Sequence, residues 1–132
     1  MTEDAPNMNK TISGSLLIPI FFVAAYSAFC AAEPSGEIKD GVRVVKVTAH
    51  RYDFKPDPIV VRRGERVRLE ITTNDVAHGL AISDFKVNVA VPKDKITTAD
   101  FTADKTGDFQ INCSVYCGPG HGKMRGALKV VE

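Results

Sequence analysis

Between Gly41 and Glu132 the apolar residues come in short runs, often at alternate positions, broken by turn-forming residues. Val67, Leu69 and Ile71 fall on one side of an extended chain and Arg68, Glu70 and Thr72 on the other, the alternation of a half-buried strand. Similar runs rich in Val, Ile, Thr and Phe predict strands at residues 42–48, 59–61, 67–72, 80–82, 87–91, 96–102, 109–113 and 126–131. Turns separate them at Phe54-Lys-Pro-Asp-Pro58, Arg63-Gly64, Pro92-Lys-Asp-Lys95 and Asp104-Lys-Thr-Gly107, and Asn74-Asp75 opens a loop that carries His78. No stretch after Gly41 has a helical period. Roughly eight short strands with closely spaced turns predict an all-β, antiparallel sandwich. About ninety residues suffice for one small core.

Ahead of this domain the pattern is different. Residues 11–32 hold no charge, and Leu16-Leu-Ile-Pro-Ile-Phe-Phe-Val-Ala-Ala-Tyr-Ser-Ala-Phe-Cys30 is strongly apolar, with Lys10 before it and Glu33 after the last alanine. A secretory signal ending at Cys30-Ala-Ala32 and an uncleaved membrane anchor both fit; acylation at Cys30 is a third reading, with Phe29 an unsuitable neighbour for it. Each exports the rest of the chain, and Lys10 agrees with a cytoplasmic N-terminus. The division expected is residues 1–32 as signal or anchor, 33–40 as a polar linker, and 41–132 as the folded domain, placed in the periplasm or on the outer face of the cytoplasmic membrane.

Composition adds little to this picture. The chain is 44% hydrophobic and 25% charged with a formal net charge of +1, which gives no reason to expect nucleic acid as a partner. Arg62, Arg63, Arg66 and Arg68 read as the solvated side of a strand and its turn.

Chemistry concentrates in the loop between the last two expected strands, Cys113-Ser-Val-Tyr-Cys117-Gly-Pro-Gly-His121-Gly-Lys-Met124. Flanking strands place this loop at one end of the sandwich, where a rigid scaffold carries functional groups. Thiolate, imidazole and thioether together are a ligand set for copper. The upstream His78 supplies another nitrogen; His50 has no ligand-type neighbour in sequence. Asp75 either orients His78 or caps its own loop. Cys117, His121 and Met124 would suffice for a mononuclear blue-copper site, leaving Cys113 unexplained. Two thiolates can instead bridge two copper ions, each taking one imidazole. A Cys113–Cys117 disulfide would leave His121 and Met124 without a purpose. Cys2His2 is also a zinc set, but this spacing is unlike a zinc finger and a thioether suits zinc poorly. No nucleophile–base pair or open substrate position points to an enzyme acting alone.

Asp75-Val-Ala-His78 followed by the loop of residues 113–124 resembles the binuclear copper (CuA) domain of cytochrome c oxidase subunit II. The resemblance covers residues 52–132 and is similar to the B-type, single-anchor form; the CuA domain of nitrous oxide reductase shares the ligand pattern. It implies a cupredoxin Greek-key sandwich in which Cys113 and Cys117 bridge both ions. His78 and Met124 would complete one ion, and His121 with the carbonyl of Val115 the other. It implies one-electron transfer from cytochrome c or another small redox donor to the catalytic subunit of a haem-copper oxidase. The other readings are a mononuclear copper carrier and an exported copper-delivery protein. The chain departs from the family in having no tryptophan; the aromatic residues nearest the family's electron-entry stretch are Tyr52 and Phe54.

Overall fold

A computed structural model describes residues 31–132. Residues 1–30, and with them most of the expected signal or anchor, lie outside the described residues. Among the described residues no helix is long and apolar enough to cross a membrane.

Ten strands form, in the order β1 (Glu37–Lys39), β2 (Val42–His50), β3 (Asp53–Lys55), β4 (Ile59–Arg62), β5 (Arg66–Thr72), β6 (His78–Ile82), β7 (Val87–Val91), β8 (Thr97–Thr102), β9 (Gly107–Asn112) and β10 (Arg125–Val131). Two single-turn 3-10 helices, Ser83–Phe85 and His121–Lys123, interrupt them. The sheet runs β7-β6-β9-β10-β3-β2-β5-β8, with β1 added beside β2 and β4 beside β10. It folds over on itself, so that β2, β5 and β8 face β6, β9 and β10 across one core, and β3 joins the two layers.

Expected alternation becomes observed burial. Val67, Leu69 and Ile71 of β5 are buried while Arg66 and Arg68 are exposed. Val45, Val47 and Ala49 of β2 meet them from the neighbouring strand, and Leu80, Ile82, Ile111 and Leu128 close the core from the other layer. Each such aliphatic side chain contributes about 1.5–3 kcal/mol by leaving water.

The structure departs from the sequence reading in three respects. First, the sandwich is mixed, not antiparallel throughout: β2 runs parallel to β5, and β4 parallel to β10. Parallel neighbours require a crossover, and the chain supplies it by passing through β3 and β4 before returning to β5. Second, the segment read as a linker contains β1, paired antiparallel to β2 through Asp40-Gly41. Both turn residues have positive φ, 48° and 76°, the conformation that an Asp-Gly hairpin turn adopts readily. Third, part of the proline-rich stretch read as a turn is β3, which pairs with β2. The two strands missed are three residues each, too short to show a period.

Arg43 shares the inward phase of β2 with Val45 and Val47, at the end of the strand remote from His50. Its guanidinium donates to both carboxylate oxygens of Glu65 at 2.6 and 2.7 Å, and to Ser35 O at 3.1 Å. Glu65 also accepts from the backbone N–H of Arg62. With side chains only 9% and 18% exposed, this pair is more than a surface bridge. The Arg43 hydrogen bonds hold the Glu65 carboxyl below the ordinary value of 4.5 against the opposing effect of burial. A carboxylate whose folded pKa is depressed stabilises the fold above its unfolded pKa and ceases to do so as pH falls through its folded value. Glu65→Gln is expected to cost about 2–4 kcal/mol at neutral pH. In urea unfolding of the metal-free protein the deficit should shrink as pH is lowered below 4.5. A deficit unchanged in acid would show that packing, not charge, is responsible.

Candidate metal centre

Three neighbouring strands, β6, β9 and β10, end side by side. On β6 the buried positions include His78, Leu80 and Ile82, so His78 continues the core's inward row to the end of the strand. The histidine therefore opens a strand and does not sit in the preceding loop. On β9 the inward Ile111 is followed two residues later by buried Cys113. Met124, just before β10, is 1% exposed and stands two and four residues before Gly126 and Leu128. The backbone N–H of Cys113 donates to Met124 O at 3.3 Å, closing the loop at its base.

Cys117 and His121 come from within the loop. The His121 N–H donates to Gly118 O at 3.0 Å and the Met124 N–H to His121 O at 3.1 Å, so the second half of the loop coils into the 3-10 turn. The loop lies flat on β6: a β-carbon at Gly79 would stand 2.2 Å from Ser114 Oγ and 2.8 Å from Val115 N. Tyr52 covers the other side, its ring 2.6 Å from where a β-carbon on Gly120 would be. Only glycine permits either approach.

The donor atoms converge. Cys113 Sγ lies 3.7 Å from Cys117 Sγ, 3.9 Å from His78 Nδ1 and 3.1 Å from the carbonyl oxygen of Val115. Cys117 Sγ lies 3.7 Å from His121 Nδ1 and 3.7 Å from Met124 Sδ. Ligating atoms of His78, Cys113 and Cys117 all fall within 4.8 Å of one another. Donors bound to one ion at about 2.0–2.3 Å stand about 3.3–4.0 Å apart in trigonal or tetrahedral shells. The sulfur–sulfur and sulfur–imidazole separations fit that range. Both cysteines are free thiols. Two sulfurs, two imidazoles, a thioether and a carbonyl exceed the four donors of a structural zinc site, and the soft sulfur donors suit copper.

Asp75 organises the histidine side of this site. Its Oδ1 accepts from the backbone N–H of Val76 and lies 2.7 Å from the Thr73 hydroxyl and 2.8 Å from His78 Nε2. Its Oδ2 accepts from the N–H of Arg51 at 2.8 Å. Burial opposes ionisation, but the donors of Thr73, Val76, Arg51 and His78 outweigh it and hold the carboxyl well below the usual carboxylate range. An ionised Asp75 keeps the proton of His78 on Nε2 and leaves the Nδ1 lone pair facing Cys113. Orienting His78 and capping its loop are thus not alternatives for Asp75, which does both.

Arg51 escaped the sequence reading. Its guanidinium Nε donates to Cys117 O at 2.8 Å while its own N–H holds Asp75. Arg51 thus ties the His78 loop to Cys117, 66 positions from itself in sequence. No local pattern signals such a contact. Burial and the adjacent Cys113 thiol push Cys117 up to about 11, with the Arg51 charge pulling the other way.

The chain matches the cupredoxin-like domain family over residues 17–128. The chain belongs to the cupredoxin-like family. Within that family it is 35% identical over 88 residues to cytochrome c oxidase subunit 2 of Thermus thermophilus, covering 67% of this chain and 65% of the relative. A second subunit 2 sequence from the same species matches with the same identity over 52% of its length. The chain thus spans a little over half to just under two thirds of these two relatives. A chain of a heme-copper terminal oxidase dimer superimposes with a TM-score of 0.62 at 27% identity, covering 76% of this chain and 74% of that one. The periplasmic domain of cytochrome oxidase subunit II from Bradyrhizobium japonicum superimposes with a TM-score of 0.65 at 24% identity, covering 73% and 88%, and shows the shared fold.

In this cupredoxin-like domain Asp75→Ala is expected to leave the Val76, Arg51 and His78 donors without their acceptor, the Thr73 hydroxyl keeping the Val76 carbonyl at 3.0 Å, and to cost about 2–3 kcal/mol in urea unfolding. Nitrogen NMR of the metal-free protein should show His78 protonated at Nε2, and the variant should lose that single tautomer. A variant retaining it would show that Asp75 does not set the ring.

Proposed function

We propose that this domain holds two copper ions in a CuA-type centre and relays single electrons, as subunit 2 or a subunit 2-like part of a haem-copper terminal oxidase. The observation that carries this reading is the second thiol. Cys113 and Cys117 stand face to face at 3.7 Å, with one imidazole against each sulfur: His78 beside Cys113, His121 beside Cys117. A mononuclear site would use Cys117, one or two imidazoles and Met124, and would leave a buried, unused thiol beside them. In the binuclear reading His78 and Met124 would help to hold one ion, and His121 and the Val115 carbonyl the other.

Bound copper would supply the one-electron redox couple. The chain supplies everything else. Cys113, Cys117, Met124 and His78 are buried, so water is kept from the sulfur atoms and most of the donor set. The Asp75 carboxylate fixes the tautomer of His78, and Arg51 pins the Cys117 carbonyl, so the donors need little rearrangement between oxidation states. His121, half-exposed at the end of the domain, stands on the solvent side of the centre. The donor would be cytochrome c or another small redox protein, and the acceptor a haem-bearing catalytic subunit. The domain would work outside the cytoplasmic membrane, exported or held there by residues 1–32.

Loading the full-length chain with copper and counting metal should give two ions per chain. The paramagnetic spectrum should show the unpaired electron shared over both nuclei. Cys113→Ser should abolish that sharing. If Cys113→Ser leaves the copper spectrum unchanged, the site is mononuclear. If copper binds but passes to a chelator faster than an electron arrives from a reduced cytochrome, the protein delivers copper instead.

A further inference from the structure

The end of the sandwich that carries the donor atoms is electropositive on its outer side. Three other stretches meet the loop of residues 113–124 there. Arg51-Tyr52 contacts Cys117 and Gly120. Residues 73–77 lead into His78. Residues 92–96 follow Val91, the register partner of His78, and the Asp94 N–H donates to Thr73 O at 2.9 Å. On these stretches Arg51, Lys93, Lys95 and Lys123 are exposed, and Arg125 follows directly. Against these five cations stand three carboxylates, Asp53, Asp75 and Asp94, Asp53 being the register partner of Arg125. Asp75 is turned toward His78 with both oxygens occupied, and Asp53 is bridged to Lys55 at 3.5 Å, which leaves Asp94 exposed and outside any salt bridge among the described residues. From Phe109 to Val131 there is no acidic residue at all. Among the described residues none of the five cations is in a salt bridge. With a net charge of only +1 for the chain, the bias belongs to this end and not to the protein as a whole.

At its centre the face is apolar. Tyr116, beside Cys117, is 74% exposed, and its ring centroid lies 5.6 Å from that of His121. Pro119 is exposed on the same loop. An aromatic centre with a charged surround has the anatomy of a transient protein interface, and unpaired surface charge of one sign steers a partner of the other.

Resting on the electron-transfer reading of the site, we propose that this face docks a small redox protein whose exposed cofactor edge is ringed by carboxylates. A donor carrying a lysine-rich face would be repelled here. The partner's apolar edge would rest on Tyr116 and Pro119, next to His121, with its acidic groups over Lys93, Lys95 and Lys123.

The test uses the copper-loaded full-length protein and two forms of one probe, a basic mitochondrial-type cytochrome c and the same cytochrome with its lysines succinylated. By stopped flow near 10 mM ionic strength, the succinylated form should transfer electrons about tenfold faster than the native form. Its rate should fall as salt is raised past about 0.15 M, while the native rate rises. The triple variant Lys93→Glu, Lys95→Glu, Lys123→Glu should invert both salt dependences with copper content and spectrum unchanged. A faster reaction with the native cytochrome, or equal salt slopes, overturns the proposal while leaving the electron-transfer reading intact. No transfer to or from either form by a correctly loaded protein overturns that reading itself. If the triple variant loses binding to anionic phospholipid vesicles but keeps its rates, the basic face serves a lipid surface and the docking proposal fails.

Discussion

The register between β6, β9 and β10 is the constraint on which the site depends. Ala81 lies opposite Asn112, and Asn112 opposite Arg125. That pairing puts His78, Cys113 and Met124 on the same inward face, at the same end of three adjacent strands. Side chains alternate faces along a strand, so a slip of one residue in any of the three would turn its donor toward solvent. The register is enforced from below by the core, since Leu80 and Ile82, Ile111, and Leu128 and Val130 share the inward rows. The hydrophobic packing that stabilises the sandwich is therefore also what aims the donors. The site is an extension of the core in which the last inward residue of each strand is a ligand-type side chain in place of an aliphatic one.

The loop needs a second kind of constraint, because Cys117 and His121 belong to no strand. It is held from both sides: by β6 at Gly79, where no side chain intervenes, and by Tyr52 at Gly120. Polar contacts do the rest. Asp75 gathers donors from Arg51, Thr73, Val76 and His78, and Arg51 carries the connection on to Cys117. A half-buried carboxylate is unfavourable unless its oxygens are occupied; those of Asp75 are, and no buried side-chain polar atom among the described residues lacks a partner. Rigidity at the site thus follows from satisfied polar groups, as the aim of the donors follows from packed apolar ones.

How far the site is legible in the sequence depends on the range of the interaction concerned. The loop of residues 113–124 declares itself, because its donors are close in sequence and their spacing carries the chemistry. Strand β5 is plain from its alternation. His78 can be picked out as a partner, but a reading by local pattern puts it in a loop. His78, Leu80 and Ile82 do show a strand's period; Gly79 and the preceding Asp75-Val-Ala mask it. Strands β1 and β3 are too short to show any period, and only the Asp40-Gly41 pair hints at the first. Parallel pairing of β2 with β5 and the tie from Arg51 to Cys117 are products of topology. Nothing within a local window encodes them.

Burial gives the metal-free site its character. Cys117, pushed up to about 11 by burial and the adjacent Cys113 thiol, keeps its proton at neutral pH before any metal binds. A metal that takes the Cys117 sulfur must expel that proton, so apparent affinity rises with pH and the free energy of binding is shared with that of deprotonation. Arg51 eases this step, because its guanidinium favours the thiolate that forms beside it. A low-dielectric pocket that resists unpaired charge admits thiolates only together with the cations that neutralise them. The burial that keeps water from the Cys117 sulfur is therefore also what makes its thiolate depend on a neighbouring cation.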